Sequence, residues 1–119
     1  MNIEEIRNYF LSKKGATEST PFDDVTLVFK VQGKMFGLMP LDKSPDELSI
    51  NVKCDPDKAI ELREQFSYVK PGYHMSKKHW NTIMIQKQIT NNQITEWIDD
   101  SYDLIVAKLT KKLRKELYL

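Results

Sequence analysis

Apolar residues recur at every second position in three runs in the middle of this chain, and at every third or fourth position near both ends. Leu27, Phe29 and Val31 alternate with Thr26, Val28 and Lys30; Leu48, Ile50, Val52 and Cys54 alternate with Ser49, Asn51 and Lys53; in residues 79–86, Ile83 and Ile85 oppose Trp80 and Met84. A period of two sends successive side chains to opposite faces of a strand. Near the start, Ile3, Ile6 and Phe10 are spaced by three and four. From about Asn91 onward, Ile94, Ile98, Ile105, Leu109 and Leu113 form one helical stripe, with Trp97 and Tyr102 beside it. Strands in the middle and helices at the ends predict one α+β domain. At 119 residues the chain has the size of a single domain and no internal repeat or linker divides it.

Punctuation between these runs sharpens the prediction. Asn2 can cap a helix over residues 2–14, Glu4 and Glu5 suit its positive end, and Lys13, Lys14 and Gly15 close it. Gln32-Gly33 is a turn that returns residues 35–40 as the second strand of a hairpin. Residues 16–24 and 41–47 read as loops. Asp55-Pro56 opens a helix whose inner face should hold Ala59, Ile60, the stem of Arg63 and Phe66. Lys70-Pro71-Gly72-Tyr73 fits a type II turn, with Gly72 at positive φ. Asp99-Asp100-Ser101 is a candidate break that would divide the C-terminal helix in two.

Composition removes whole classes. With 40% hydrophobic and 29% charged residues, disorder and coiled-coil architectures lose. No stretch approaches the ~20 apolar residues of a membrane span, and the acids of MNIEEIRNYF do not suit a signal peptide. A single cysteine, Cys54, points to a reducing cytoplasm. The net charge of +1 is unevenly spread: residues 65–95 contain no carboxylate but hold Lys70, Lys77, Lys78, Lys87, His74 and His79. A second basic cluster, Lys108, Lys111, Lys112, Arg114 and Lys115, lies near the C-terminus.

Catalytic and metal chemistry find little support. His74 and His79 lie five apart with no acid between them and one distant cysteine, which is no zinc spacing. Cys54 falls on the inward face of a predicted strand, the setting of an inert thiol. Four scattered glycines make no phosphate-cradling loop. Asp23-Asp24 and Asp99-Asp100 read as turn and cap chemistry. The expectation is therefore a non-enzymatic protein without catalytic residues, cofactor or metal.

The segment VKPGYHMSKKHW departs from this plainness. It mixes the aromatics Tyr73 and Trp80 with Lys70, His74, Lys77, Lys78 and His79, and contains no anion. Cations suit phosphates and aromatic faces suit stacked bases. The alternative is that Tyr73 and Trp80 anchor the segment to the core while the lysines stay solvated.

The whole chain resembles the MmcQ/YjbR family of small bacterial proteins. KKGATESTPF (13–22), VFKVQGKMFGL (28–38), LSINVKCDP (48–56), VKPGYHMSKKHWNTI (69–83) and SYDLIVAKL (101–109) carry the likeness, in order. The resemblance implies a frataxin-like (CyaY-like) fold, one antiparallel sheet backed by helices from both ends of the chain. It also implies DNA binding, the description commonly given to family members. Carried over by position, the binding residues would be Lys34, Tyr73, His74, Lys77, Lys78, His79 and Trp80. Two function classes follow. In the first, a cytoplasmic monomer binds DNA or RNA, mainly through the backbone, using residues 70–87, Lys70 and Lys87 included, helped by Lys30 and Lys34 of the hairpin. In the second, the same segment closes over a concave sheet, and Tyr73, Met75, Trp80 and Met84 line a pocket to which His74 or His79 adds a polar contact. Cations splayed on a convex surface would favour the first class; side chains converging on a cavity would favour the second.

Overall fold

Asn2 starts the first helix, α1 (Ile3–Ser12), with a reciprocal cap: its Oδ1 accepts from the Glu5 N–H at 2.8 Å, and Glu5 Oε1 accepts from the Asn2 N–H at 3.0 Å. These two bonds satisfy donors that a helix start otherwise leaves orphaned. The computed structural model describes residues 1–73 and 75–119; His74, a candidate site residue, lies outside the described residues.

Residues 16–24 are not wholly a loop. Ala16–Ser19 form an edge strand, β1, paired antiparallel with β2 (Thr26–Val31). Arg7 of α1 holds it from the side, its Nε donating to Glu18 Oε2 at 2.7 Å and its Nη2 to the other carboxylate oxygen. The strand escapes pattern reading because ATES has no apolar alternation. Gln32 at φ 49° and Gly33 at φ 77° form the turn into β3 (Lys34–Pro40). Two successive positive φ values match the twist of a tight hairpin, and glycine takes the second at no steric cost. A single 3-10 turn, Pro45–Glu47, leads to β4 (Ser49–Lys53).

Asp55 caps α2 (Pro56–Gln65), its carboxylate accepting from the Asp57 and Lys58 N–H groups. The helix buries Ala59 and Leu62, whereas Ile60, expected inside, is 52% exposed. Leu62, three residues after Ala59, takes the inner position. A three-residue strand, β5 (Val69–Pro71), follows, then β6 (Trp80–Met84), α3 (Asn91–Ala107) and α4 (Lys111–Leu117). The six strands form one antiparallel sheet in the order β1-β2-β3-β4-β6-β5.

The helix α3 runs unbroken through Asp99-Asp100-Ser101. Ser101 is fully buried; its hydroxyl donates to the Phe36 carbonyl at 2.6 Å and accepts from the Lys53 N–H at 2.9 Å, tying the helix to β3 and β4. Asp99 and Asp100 are not caps. Asp99 accepts from Tyr9 Oη at 2.7 Å and Lys13 Nζ at 2.8 Å, and Asp100 from Lys58 Nζ at 2.8 Å. Burial, with the bond to Asp99 adding to it, pushes the Tyr9 phenol up to about 12. The chain breaks instead at residues 108–110, where Thr110 caps α4.

Helices and sheet meet over Phe10, which stacks on Phe29 with centroids 4.2 Å apart and tilts against Phe36 at 5.7 Å. This core includes Ile6, Ile50, Val52, Ile83, Ile94 and Ile98, all on the helix-covered side. Cys54 belongs to it, and burial pushes its thiol up. No described helix is long and apolar enough to cross a membrane. The other side of the sheet carries a separate, smaller cluster: Val28, Leu38 and Trp80, with Met35 and Met75 packed against them.

Candidate functional site

Strand pairing lays a row of side chains across the uncovered face. Val28 lies opposite Leu38, Leu38 opposite Asn51, Asn51 opposite Thr82, and Thr82 opposite Lys70. Paired residues on neighbouring strands project to the same side, so this row, from Leu38 to Lys70, forms the floor of a groove of about 990 Å³. Met35, Met75 and Ser76 lie at one end, Pro40, Ser49 and Met84 at the other. Phe22 and Tyr73 stand on the rims, 65% and 69% exposed. Asp23, Asp42 and Glu47 also line the groove, as do Lys43 and Lys70, so neither sign of charge dominates it.

Two hydrogen-bond systems hold this surface. In the floor, the Tyr73 N–H donates to Thr82 Oγ1 at 2.9 Å, and the Thr82 hydroxyl donates to Asn51 Oδ1. At the rim, Asp23 Oδ1 accepts from the Val25 N–H at 2.9 Å and the Thr26 N–H at 2.7 Å, and those bonds hold its carboxyl below the usual carboxylate range. Asp23 thus performs the turn chemistry expected of it.

The segment before β6 is shaped differently from the expected type II turn. Among the described residues positive φ at glycine occurs only at Gly15 and Gly33, so Gly72 is not in the left-handed region. Its role is close approach. A Cβ there would lie 2.7 Å from Trp80 Cβ and 2.9 Å from the Trp80 carbonyl oxygen, while the Gly72 N–H donates to that same oxygen at 2.9 Å. Lys70 and Pro71, taken as turn residues, belong to β5. Gly72→Ala is expected to destabilise the fold by about 1–3 kcal/mol, since the obstructing atoms are backbone and Cβ and cannot swing aside. Urea denaturation checks it; an unchanged midpoint would show that the strands can part there freely.

The proposed binding residues separate into groups. Lys70 and Tyr73 line the groove; Trp80 does not, and is buried beside Leu38 and Val28. Lys77 and Lys78 are exposed and His79 half-buried in the turn just before β6. Lys87 lies beyond the other end of β6, and Lys34 begins β3 after the hairpin turn. Of the expected pocket residues, Tyr73, Met75 and Met84 do come together, but Trp80 and His79 are not among the lining residues. Arg63, singled out only for its stem, positions the turn: its Nη2 donates to the carbonyls of Lys77 and, at 3.2 Å, Trp80, and its Nε to Asn81 Oδ1 at 2.7 Å. Asn51, Thr82 and Phe22 were not legible as site residues, although the alternation of 48–54 put Asn51 on the face opposite Ile50 and Val52. Among the described residues no three His, Cys, Asp or Glu side chains cluster as metal ligands would.

Comparison with known proteins agrees with this architecture. The family model YjbR matches residues 11–104. YjbR of Escherichia coli (strain K12) is 31% identical over 118 residues, covering 98% of each chain. YbdF of Escherichia coli O157:H7 is 36% identical over 101 residues, 82% of this chain and 78% of that protein. The crystal structure of Deinococcus radiodurans protein DR2400, of family-model domain DUF419, superposes with a TM-score of 0.91 at 35% identity, covering 99% of this chain and 88% of that one.

Proposed function

We propose that this chain, which belongs to the YjbR family, is a non-catalytic binding module that takes a small, largely apolar ligand into the groove on the open face of its sheet. One observation carries the reading. On the face opposite the helices no described α-helix residue lines the surface, yet Leu38 and three methionines gather around a concavity of about 990 Å³, beside the cluster of Val28, Leu38 and Trp80. Apolar surface left concave and uncovered is characteristic of ligand sites of this size, and methionine adapts its shape to what it receives. Asp23, Asp42 and Glu47 among the lining residues weigh against a phosphate backbone as the occupant.

Methionine methyl groups provide the test. In protein labelled at the methionine methyls and titrated with a panel of small apolar and aromatic compounds, the signals of Met35, Met75 and Met84 should move. That of Met39, buried in the helix-side core, should not. A panel that leaves all three groove signals in place would overturn the reading.

A second reading, nucleic-acid binding, draws support from the turn before β6, where exposed Lys77 and Lys78 form no ion pair with any described residue. If about four cations engage phosphates, log affinity should fall against log salt with a slope of roughly −3 to −4. Changing Lys77 and Lys78 to alanine should then lower that slope by up to about two and keep the melting temperature within a few degrees, because exposed substitutions usually cost within about 0.5 kcal/mol. Gel shifts with single-stranded DNA, duplex DNA and RNA across a salt range check this, and equal binding by the double variant would move the contact elsewhere. Both readings keep a frataxin-like (CyaY-like) monomer in the cytoplasm, supported by the single helix-covered face of the sheet and the buried thiol of Cys54.

A further inference from the structure

Resting on the groove reading, we infer that the ligand is an apolar molecule ending in a carboxylate, received by Asn51 and Lys70. The direction of the floor hydrogen bonds carries this. Thr82 Oγ1 accepts the Tyr73 N–H, so its own proton points to Asn51 and is accepted by Oδ1. That bond holds Oδ1 toward Thr82 and leaves the amide nitrogen of this groove-lining residue, with two N–H donors, for another partner. Asn51 is 7% exposed, yet no described residue accepts from that nitrogen. No buried side-chain nitrogen or oxygen among the described residues lacks a partner, so this donor meets solvent in the groove, where a ligand acceptor can take the place of water.

Lys70 supplies the charge. It stands in the same cross-sheet row, separated from Asn51 by Thr82 alone. At the usual strand spacing, their backbones are therefore about 10 Å apart, and the flexible lysine stem spans much of that gap. No described carboxylate forms an ion pair with Lys70. The middle of the floor thus presents the Asn51 amide N–H groups and the Lys70 cation. A carboxylate accepts only, and a charge-assisted bond to an ammonium is about twice as strong as a neutral one. At Asn51 and Lys70 an amine would meet donors and a like charge; the carboxylates that could accept from it, Asp23, Asp42 and Glu47, belong to the rest of the lining. A phosphate dianion fits less well, because Lys43 is the only other lysine or arginine lining the groove and three carboxylates share the lining. The apolar body would lie along Leu38 toward Met84 or Met35.

Octanoate, octanamide and octylamine share one chain and differ only in the head group. Each is titrated into the methyl-labelled protein, as wild type, as Lys70→Met and as Asn51→Asp, with the Met35, Met75 and Met84 signals as readout. Octanoate should bind at least about tenfold more tightly than octylamine, and Lys70→Met should weaken octanoate by about tenfold while leaving octanamide within about twofold. Asn51→Asp should weaken octanoate further; because that residue is nearly buried, the exposed Lys70→Met variant keeps the test decisive if Asn51→Asp fails to fold. Octylamine binding as well as octanoate, or octanoate undiminished in Lys70→Met, overturns the carboxylate inference, while the shifted methyls leave the groove reading standing. No movement of the three methyls with any compound overturns both.

Discussion

Replacing Phe10 by alanine is expected to cost about 3–5 kcal/mol and to lower the melting temperature by roughly 10–20 °C. Phe10 is fully buried and is the point where α1 meets the sheet: its ring lies parallel to Phe29, 4° between planes, and against Phe36, which in turn meets Tyr102 of α3 edge-on at 5.4 Å. Removing it leaves a ring-sized void bounded by two strands and a helix, none of which can close without moving the others. Gly37 makes a sharper test. A Cβ at that position would fall within the Phe10 ring, 2.7 Å from Cζ and 2.9 Å from Cδ1. Gly37→Ala should therefore cost about 1–3 kcal/mol by overpacking, and should cost less in the Phe10→Leu background, where the ring is gone. Urea denaturation of the two single variants and the double variant gives the coupling directly. Strict additivity would show that the glycine is not there to seat the ring.

Arg63→Leu should destabilise by about 2–4 kcal/mol, and Arg63→Lys should recover less than half of that. One guanidinium serves three acceptors: the Lys77 and Trp80 carbonyls and Asn81 Oδ1. Asn81 is 1% exposed, with its amide nitrogen directed to the Ala59 carbonyl at 3.5 Å, so losing Arg63 strands its oxygen inside the protein. An orphaned buried acceptor costs about 1–3 kcal/mol, and bonds to a charged donor contribute about 1.5–3. A lysine ammonium is a point donor and cannot reproduce the planar fork. Because Met75 and Ser76 precede the clamped turn and line the groove, Arg63→Leu should also weaken ligand binding measured on the Met75 methyl. A lysine variant as stable as wild type would refute the fork.

The elements that were legible share one property: they bury a full face against the helices. The alternation of Leu48, Ile50, Val52 and Cys54 became β4 and the residues on either side of it, because a one-residue slip would have turned every one of those side chains to solvent. The caps at Asn2 and Asp55 and the hairpin turn at Gln32-Gly33 are local devices and read locally. Ser101 shows the limit of that reading. As a good capping residue after two aspartates it suggested a break, but its hydroxyl bonds to Phe36 and the Lys53 N–H, so the sheet holds the helix continuous there. The short strands β1 and β5 were missed because three or four residues at a sheet edge carry no period; their partners define them.

The same division holds for the site. Tyr73, Met75 and Met84 were recognisable because aromatics and methionines sat in one segment with an apolar alternation; Trp80, expected beside them, packs instead with Val28 and Leu38 and does not line the groove. The sequence by itself determined which residues belong to the longer strands and to the helices, since apolar period is a property of neighbours four or fewer positions apart. Only the tertiary structure decided that Phe22, Asn51, Lys70 and Thr82 share one groove, that Gly72 is needed for contact with Trp80 and not for its dihedral, and that Arg63 holds the turn. Those facts depend on the order β3-β4-β6-β5, which brings residues 38, 51, 82 and 70 into a single row. Cross-strand order is fixed by how whole faces fit together, and no short stretch of chain contains it.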